Sequence, residues 1–456
     1  MVSVSGVRGI VGVDLTPPVV VSWISGFAAS LPKGATVVLG TDPRPTREPL
    51  RQLIFGTLTL AGCKVFDLGI ASTPTVAIAV EELQAAGGIA LTASHNPAQW
   101  NALKFFRNDG RFLLEEEGKE LRRKVEAGEQ RWVAWNEIGS VNTPSFDMVQ
   151  RHIERVLTQT PGVDVDAIRR AKLTVACDGG GGVAGACIPQ LLDTLGVVLS
   201  SGSLGMKADG DFYRKLEPTP DVLGPLGEEV LRSRSCIGFA FDPDGDRLAC
   251  VSNDGTPVGE ETTVTLTVDQ VLRYQPGPVV VNISTTIAVD DIAKRYNVPV
   301  YRTKVGEANV ADKMLAVKAS CGGEGNGGVM IPACHPGRDS LVGIALLLTA
   351  IATRGSLDQL LKDVPRYTIV KKATEVDPEL LVKHGGVPGM LNKLAEERPY
   401  ENWDRTDGLK LTTADGWVQI RGSNTEPIFR IFAESSNTEI AEQMVNDMMH
   451  RFGRLL

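Results

Sequence analysis

ATVVLGTD at 35–42, KLTVACDGG at 172–180 and GPVVVNIS at 277–284 are the runs whose reading decides the fold. They belong to a set of apolar runs, four to six residues long, rich in Val and Ile, that follow a turn and precede an amphipathic stretch of helical length. A short continuous apolar run reads as a strand buried on both faces, and strands alternating with helices read as βα units feeding a largely parallel sheet. The three runs stand about 135 and 105 residues apart, which predicts three similar α/β domains in series. Buried strands also look alike in unrelated folds, so the echo alone leaves coincidence open.

Polar or proline-bearing seams near 141–146, 250–258 and 362–366 divide the chain into 1–145, 146–250, 251–364 and 365–456. The last part differs in texture. Helical stretches at 387–397 and from about 437, with short strands near 409–421 and 427–433, predict a small α+β domain.

Composition limits the function. Of 456 residues, 43% are hydrophobic and 22% charged, values that exclude a disordered or fibrous chain. A net charge of −8 argues against a nucleic-acid partner, so an anionic ligand must be met by a local site. Seven scattered cysteines without a C-x-x-C pair predict packed, reduced thiols, with neither a disulfide framework nor a zinc site. The apolar run Leu341 to Ile351 is too short for a membrane span and reads as a buried helix. The first residues lack a signal-peptide pattern, so a cytoplasmic protein with no membrane association is expected.

Four constellations could carry chemistry. Thr92-Ala93-Ser94-His95-Asn96-Pro97 follows the apolar run 88–91, which places Ser94 at a strand's carboxyl end, where open α/β sheets bind ligands. Serine needs an activating neighbour, and His95 and Lys104 are the nearest candidates; a simple turn before Pro97 is the competing reading. Asp242, Asp244 and Asp246 alternate between two apolar runs and would repel one another without a hard cation. An EF-hand is excluded by Arg247 where glycine is needed and Asn253 where a bidentate glutamate is needed. That leaves a three-aspartate Mg²⁺ site open to a phosphate oxygen, or a solvated acidic turn. Glu324 and Asn326 stand on a glycine-rich run (321–329) and suit vicinal sugar hydroxyls or an amine, unless the run is only a connector. Arg421-Gly422-Ser423-Asn424-Thr425 suits a phosphate dianion or an ordinary hairpin. Arg8 and Arg44 lie near further tight turns and read equally as surface residues.

In this order and spacing, SGVRG, TASHNP with its following lysine, DPDGDR, GEGNG and RGSNTEP resemble the α-D-phosphohexomutase superfamily over the whole chain. The resemblance implies three like α/β domains with mixed, mainly parallel sheets and a carboxy-terminal α+β domain around a central cleft. It also implies that a sugar 6-phosphate and 1-phosphate interconvert through phospho-Ser94 and a sugar 1,6-bisphosphate. Asp242, Asp244, Asp246 and an oxygen on Ser94 would hold Mg²⁺, and His95, Lys104, Arg8 and Arg247 would serve the transfer. Lys304, Glu324 and Asn326 would read the sugar, and Arg421, Ser423, Asn424 and Thr425 would grip the remote phosphate. The glucose and mannose branch usually carries Ser and His where this chain has Asn326 and Gly328, and often His at Glu307. These departures, with QWNALKFF, VGEANV and GEGNGGV, resemble the phosphoglucosamine mutases and predict glucosamine phosphate as substrate, with glucose or mannose phosphates as the alternative. A monomer or homodimer is expected. A Mg²⁺-dependent sugar phosphatase and a non-catalytic calcium- or sugar-binding module are the rival classes.

Overall fold

The structure, a computed structural model, describes residues 2–3, 6–397, 401–422 and 428–455. Four sheets follow one another along the chain. The first has seven strands, in the order Val2–Ser3, Gly6–Ile10, Trp100–Phe106, Gly87–Leu91, Thr36–Thr41, Lys64–Ile70, Val141–Asn142. Its inner strands Lys64–Ile70, Thr36–Thr41 and Gly87–Leu91 are parallel, and Trp100–Phe106 then reverses. The second sheet centres on Thr174–Asp178 and Ile237–Phe241, parallel, with Leu248–Val251 reversing. The third centres on Val279–Asn282 and Cys321–Glu324, parallel, with Gly328–Ile331 reversing. The three quoted runs therefore supply the same strand of three like sheets.

Their continuous hydrophobicity has a physical cause. Val37 and Leu39 face one apolar cluster with Trp23, Phe27 and Ile54, while Val38 faces another with Val76 and Val80. Val280 likewise turns from the cluster of Val279 and Val281 toward Val310 and Met314. A strand covered by helices on both faces has no solvent side to alternate with. The predicted helix at 341–351 is the core of Ser340–Arg354, buried throughout that interval. All seven cysteines are free thiols, six of them buried.

The last sheet is antiparallel, in the order Thr368–Glu375, Ile428–Ser435, Gly416–Gly422, Leu409–Thr413, and the helix Thr438–Gly453 packs on it. This is the expected α+β texture, with one strand, Thr368–Glu375, that the sequence did not announce. It joins the preceding domain through Ser284 Oγ, which donates to Gln419 Oε1 (2.7 Å), and Ile287 N–H, which donates to Glu434 Oε2 (2.9 Å).

Candidate active site

The site grows from one repeated feature, the loop that reverses the chain after the last parallel strand. Asp178 is the register partner of Ala240, and two residues on lies Asp242. Val281 pairs with Gly323, so Asn282 meets Glu324, and two residues on lies Asn326. Thr41 pairs with Leu91, so Asp42 meets Thr92, and two residues on lies Ser94. Ser94, Asp242 and Asn326 thus occupy equivalent positions, each at the carboxyl end of a parallel sheet.

Buried side chains hold these loops. Arg44, 1% exposed, donates through Nε to Asp42 Oδ2 (2.8 Å), through Nη1 to the Pro97 (2.8 Å) and Trp100 (3.2 Å) carbonyls, and through Nη2 to the Ser94 carbonyl. Thr92 Oγ1 donates to Asp42 Oδ2 at 2.7 Å. In the second domain Arg214 repeats the device, donating to Asp178 Oδ2 (2.8 Å) and to the Phe241 carbonyl (2.9 Å) next to Asp242. In the third, Asn282 Nδ2 donates directly to Glu324 Oε1 (3.0 Å). The sequence left Arg44 as a surface candidate; only the fold shows it enclosed.

Ser94 adopts a left-handed backbone (φ +50°), which costs a non-glycine residue about 1–2 kcal/mol and turns its hydroxyl across the domain boundary. Ser94 Oγ donates to Asp242 Oδ2 at 2.8 Å and lies 3.3 Å from His95 Nδ1. The turn reading thus fails for its side chain. One oxygen from each of Asp242, Asp244 and Asp246 lies within 4.8 Å of the others, all three residues being at most 1% exposed. Lys104 Nζ donates to Asp244 Oδ2 (2.7 Å), as does Thr73 Oγ1 (2.8 Å). Arg247 N–H donates to Asp242 Oδ1 (3.2 Å), and its guanidinium donates to Glu217 Oε1 (2.7 Å). Arg8 Nη1 donates to Asn96 Oδ1 (2.7 Å).

These neighbours separate the carboxylates electrostatically. Burial together with Asp244 and Asp246 pushes the Asp242 carboxyl well above the usual range. Burial opposes ionisation of Asp244 too, yet Lys104 and the hydrogen bonds from Lys104 and Thr73 hold it below the ordinary value. Arg247, burial and Arg8 keep the His95 imidazole well below its usual pKa, hence neutral near pH 7.

Buried polar atoms without a hydrogen-bond partner gather here: Asp244 Oδ1, Asp246 Oδ1, Arg247 Nε, Asn326 Oδ1 and Arg421 Nε among the described residues. Groups of this kind are rare unless a ligand completes them. Two free carboxylate oxygens beside a crowded third suit an oxygen-loving divalent cation, so the residues fit a metal.

The glycine-rich loop that carries Glu324 and Asn326 reaches the same place, through Arg338, which donates to both Glu324 and Asp246. Glu324 Oε1 accepts from Gly306 N–H (2.8 Å), and Oε2 accepts from Arg338 Nη1 (3.2 Å). Arg421 stands next to last in the strand Gly416–Gly422, with Nη1 3.7 Å from Asp407 Oδ2; that same oxygen accepts from Val305 N–H (3.1 Å), which brings the fourth domain against the loop carrying Lys304. Lys304 itself is exposed and does not touch the aspartates. Ser423, Asn424 and Thr425 lie outside the described residues. Sequence reasoning missed Thr73, Arg214, Glu217 and Arg338, none of which stands in a recognisable motif.

Three like α/β domains and a fourth sheet meeting at a serine, an acidic triad and the glycine-rich loop of Glu324 and Asn326 match the phosphohexomutase class of isomerases. Family models described as phosphoglucomutase/phosphomannomutase alpha/beta/alpha domains I, II and III match residues 2–132, 150–255 and 260–367, and the C-terminal domain matches 371–451. The chain belongs to the phosphoglucomutase/phosphomannomutase family, within the α-D-phosphohexomutase superfamily. A phosphoglucomutase/phosphomannomutase of Thermococcus kodakarensis is 33% identical, with 96% of this chain and 95% of that protein covered. A probable phosphoglucosamine mutase of Pyrococcus horikoshii is 31% identical, with 97% and 95% covered. A solved phosphoglucomutase/phosphomannomutase family protein of Burkholderia thailandensis shares the fold with a TM-score of 0.84 at 24% identity, over 100% of this chain and 98% of that one.

Proposed function

We propose that the protein interconverts glucosamine 6-phosphate and glucosamine 1-phosphate through phospho-Ser94 and a glucosamine 1,6-bisphosphate. The observation that carries the reading is the 2.8 Å contact from Ser94 Oγ to Asp242, beside the acidic triad. A phosphorylated Ser94 could not keep that contact, because phosphate and carboxylate repel unless a cation lies between them. Asp242, Asp244, Asp246 and a phosphoserine oxygen would hold Mg²⁺. When bound, the ion supplies charge neutralisation for the transferring phosphoryl group.

The chain's own groups do the rest. Glu324 and Asn326 accept the sugar hydroxyls and aim one of them at phospho-Ser94. The neutral His95, 3.3 Å from Ser94 Oγ, takes the proton of that hydroxyl and returns one to Ser94 Oγ as it leaves, while Lys104, Arg8 and Arg247 balance charge around the phosphoryl group. The P–O bond to Ser94 breaks as the bond to the sugar oxygen forms, giving the bisphosphate. The intermediate then turns over, and its other phosphoryl group returns to Ser94. Arg421, with Ser423, Asn424 and Thr425, grips whichever phosphate is idle, and Lys304 borders that end.

The choice of glucosamine draws on Asn326 and on relatives named phosphoglucosamine mutase. Glu307 contributes less than its charge suggests, because Arg338 Nε already donates to its Oε2 (2.9 Å). Glucose or mannose phosphate is the second reading, favoured by the name of the Thermococcus relative. No helix among the described residues is long and apolar enough to cross a membrane. Turnover of a panel of hexose and hexosamine phosphates decides the substrate: glucosamine phosphate should give the highest kcat/KM, and preference for glucose or mannose phosphate would overturn the choice. Net phosphate release would favour the phosphatase class.

A further inference from the structure

We propose that Arg338 is a positioning residue that ties the sugar-reading carboxylate Glu324 to the metal-loop carboxylate Asp246, with Glu307 as its anchor and Gly328 as the opening that admits its stem. Arg338 ends the strand His335–Arg338 and is 10% exposed at its side chain. Its three nitrogens serve a loop, a helix start and a strand end: Nη2 donates to Asp246 Oδ2 (2.6 Å), Nε to Glu307 Oε2 (2.9 Å) and Nη1 to Glu324 Oε2 (3.2 Å). A planar guanidinium with donors in a fixed fork sets angles between its partners, which a lysine ammonium does not.

The local sequence makes room for it. A Cβ on Gly328 would lie 2.3 Å from Arg338 Cδ, so the stem occupies the space of a side chain at that position. A Cβ on Gly337 would meet Glu307 Oε1 at 3.0 Å, so that carboxylate also approaches a bare backbone. Glu307, Gly328 and Arg338, separate in sequence, are one physical unit.

The inference rests on reading the triad as a metal site and adds a consequence. Arg338 occupies Asp246 Oδ2, and Lys104 and Thr73 occupy Asp244 Oδ2, which leaves Oδ1 of each without a hydrogen-bond partner, Asp246 Oδ1 only 3.9 Å from Arg247 Nε. Each carboxylate is thereby restricted to one-oxygen coordination. Mg²⁺ demands compact octahedral geometry, whereas Ca²⁺ accepts bidentate carboxylates and more ligands. Arg338 therefore selects Mg²⁺ over Ca²⁺ and, through Glu324, fixes the sugar relative to the ion.

Calorimetric titration of Mg²⁺ and of Ca²⁺ into full-length wild type, Arg338→Met and Arg338→Lys, with KM for glucosamine 6-phosphate, tests this. Losing the positive charge alone strengthens both ions together, so their affinity ratio reports geometry. In Arg338→Met the Mg²⁺-to-Ca²⁺ ratio should fall about tenfold and KM should rise at least as much. Arg338→Lys still reaches Asp246 but not all three carboxylates, so the ratio should stay near wild type while KM rises. If Arg338→Met does not fold, Gly328→Ala, which pushes the stem aside, should lower the ratio in the same way. A ratio unchanged within about twofold in the folded variant overturns the proposal. Absence of stoichiometric Mg²⁺ binding to the wild type overturns the metal reading beneath it.

Discussion

Replacing Arg44 by methionine probes the scaffold of the serine loop most sharply. The side chain is fully enclosed and donates to Asp42 and to three loop carbonyls, those of Ser94, Pro97 and Trp100. Methionine fills much of the volume but donates nothing. Asp42, which burial already pushes above the usual carboxylate pKa with Arg44 opposing, would keep only the Thr92 hydroxyl and the residue-44 N–H. Stranding one partner of a buried ion pair costs about 3–5 kcal/mol, a large part of the ~5–15 kcal/mol that holds a domain folded. The carbonyls each add ~1–3 kcal/mol where water cannot reach them. Asp42→Asn in the same chain should recover the charge part and leave the carbonyl part. The left-handed Ser94 would also lose its clamp, and a shift of about 1 Å in the hydroxyl lowers kcat roughly 10²-fold. Urea unfolding of domain I, followed beside kcat for wild type, Arg44→Met and the double variant, measures both. An Arg44→Met protein within about 1 kcal/mol of wild type and with undiminished kcat would refute the scaffold.

Other perturbations separate fold from chemistry. Asp244→Asn should abolish the response of turnover to Mg²⁺ and, by taking from Lys104 its 2.7 Å carboxylate partner while Asp246 Oδ2 remains at 4.0 Å, cost about 1–3 kcal/mol in urea unfolding; chelation of wild type should stop turnover without that loss, and added Mg²⁺ should restore it. Lys410 is 5% exposed, donates to the Ile283 carbonyl (2.6 Å), and is pushed down to about 7 by burial and by Arg302. Between about 7 and the ordinary lysine value the unfolded chain binds a proton that the folded chain does not, so stability rises with pH across that window. Lys410→Met should therefore raise Tm more, or lower it less, at pH 6.5 than at pH 9; equal shifts at both would contradict the buried cation.

The strands were legible because burial on both faces leaves runs such as VVLG and VVVN, which need no tertiary context to recognise. Ser94, the three aspartates and Glu324 were legible because their loops combine glycine, proline and charge at close spacing. The reversal after each third parallel strand was not, since the short connections at 92–99, 242–247 and 325–327 are built of residues that read as ligand-binding loops rather than as hairpin turns. Thr368–Glu375 escaped because none of its residues is buried and its burial shows no alternation. Arg44, Arg214 and Arg338 look like surface arginines in a linear reading; each becomes structural only when the fold brings carboxylates and carbonyls around it.

The central claim is that one hydroxyl carries the phosphoryl group between turnovers, and intact-protein mass spectrometry with peptide mapping tests it most directly. Wild type incubated with glucosamine 1,6-bisphosphate and Mg²⁺ should gain a single phosphoryl group on Ser94, with turnover proportional to the modified fraction. Ser94→Ala should gain none and should not turn over, while unfolding within about 1 kcal/mol of wild type, the scale of the hydrogen bond to Asp242 that it loses. Full turnover by Ser94→Ala, or a phosphoryl group mapped to another residue, would contradict the account.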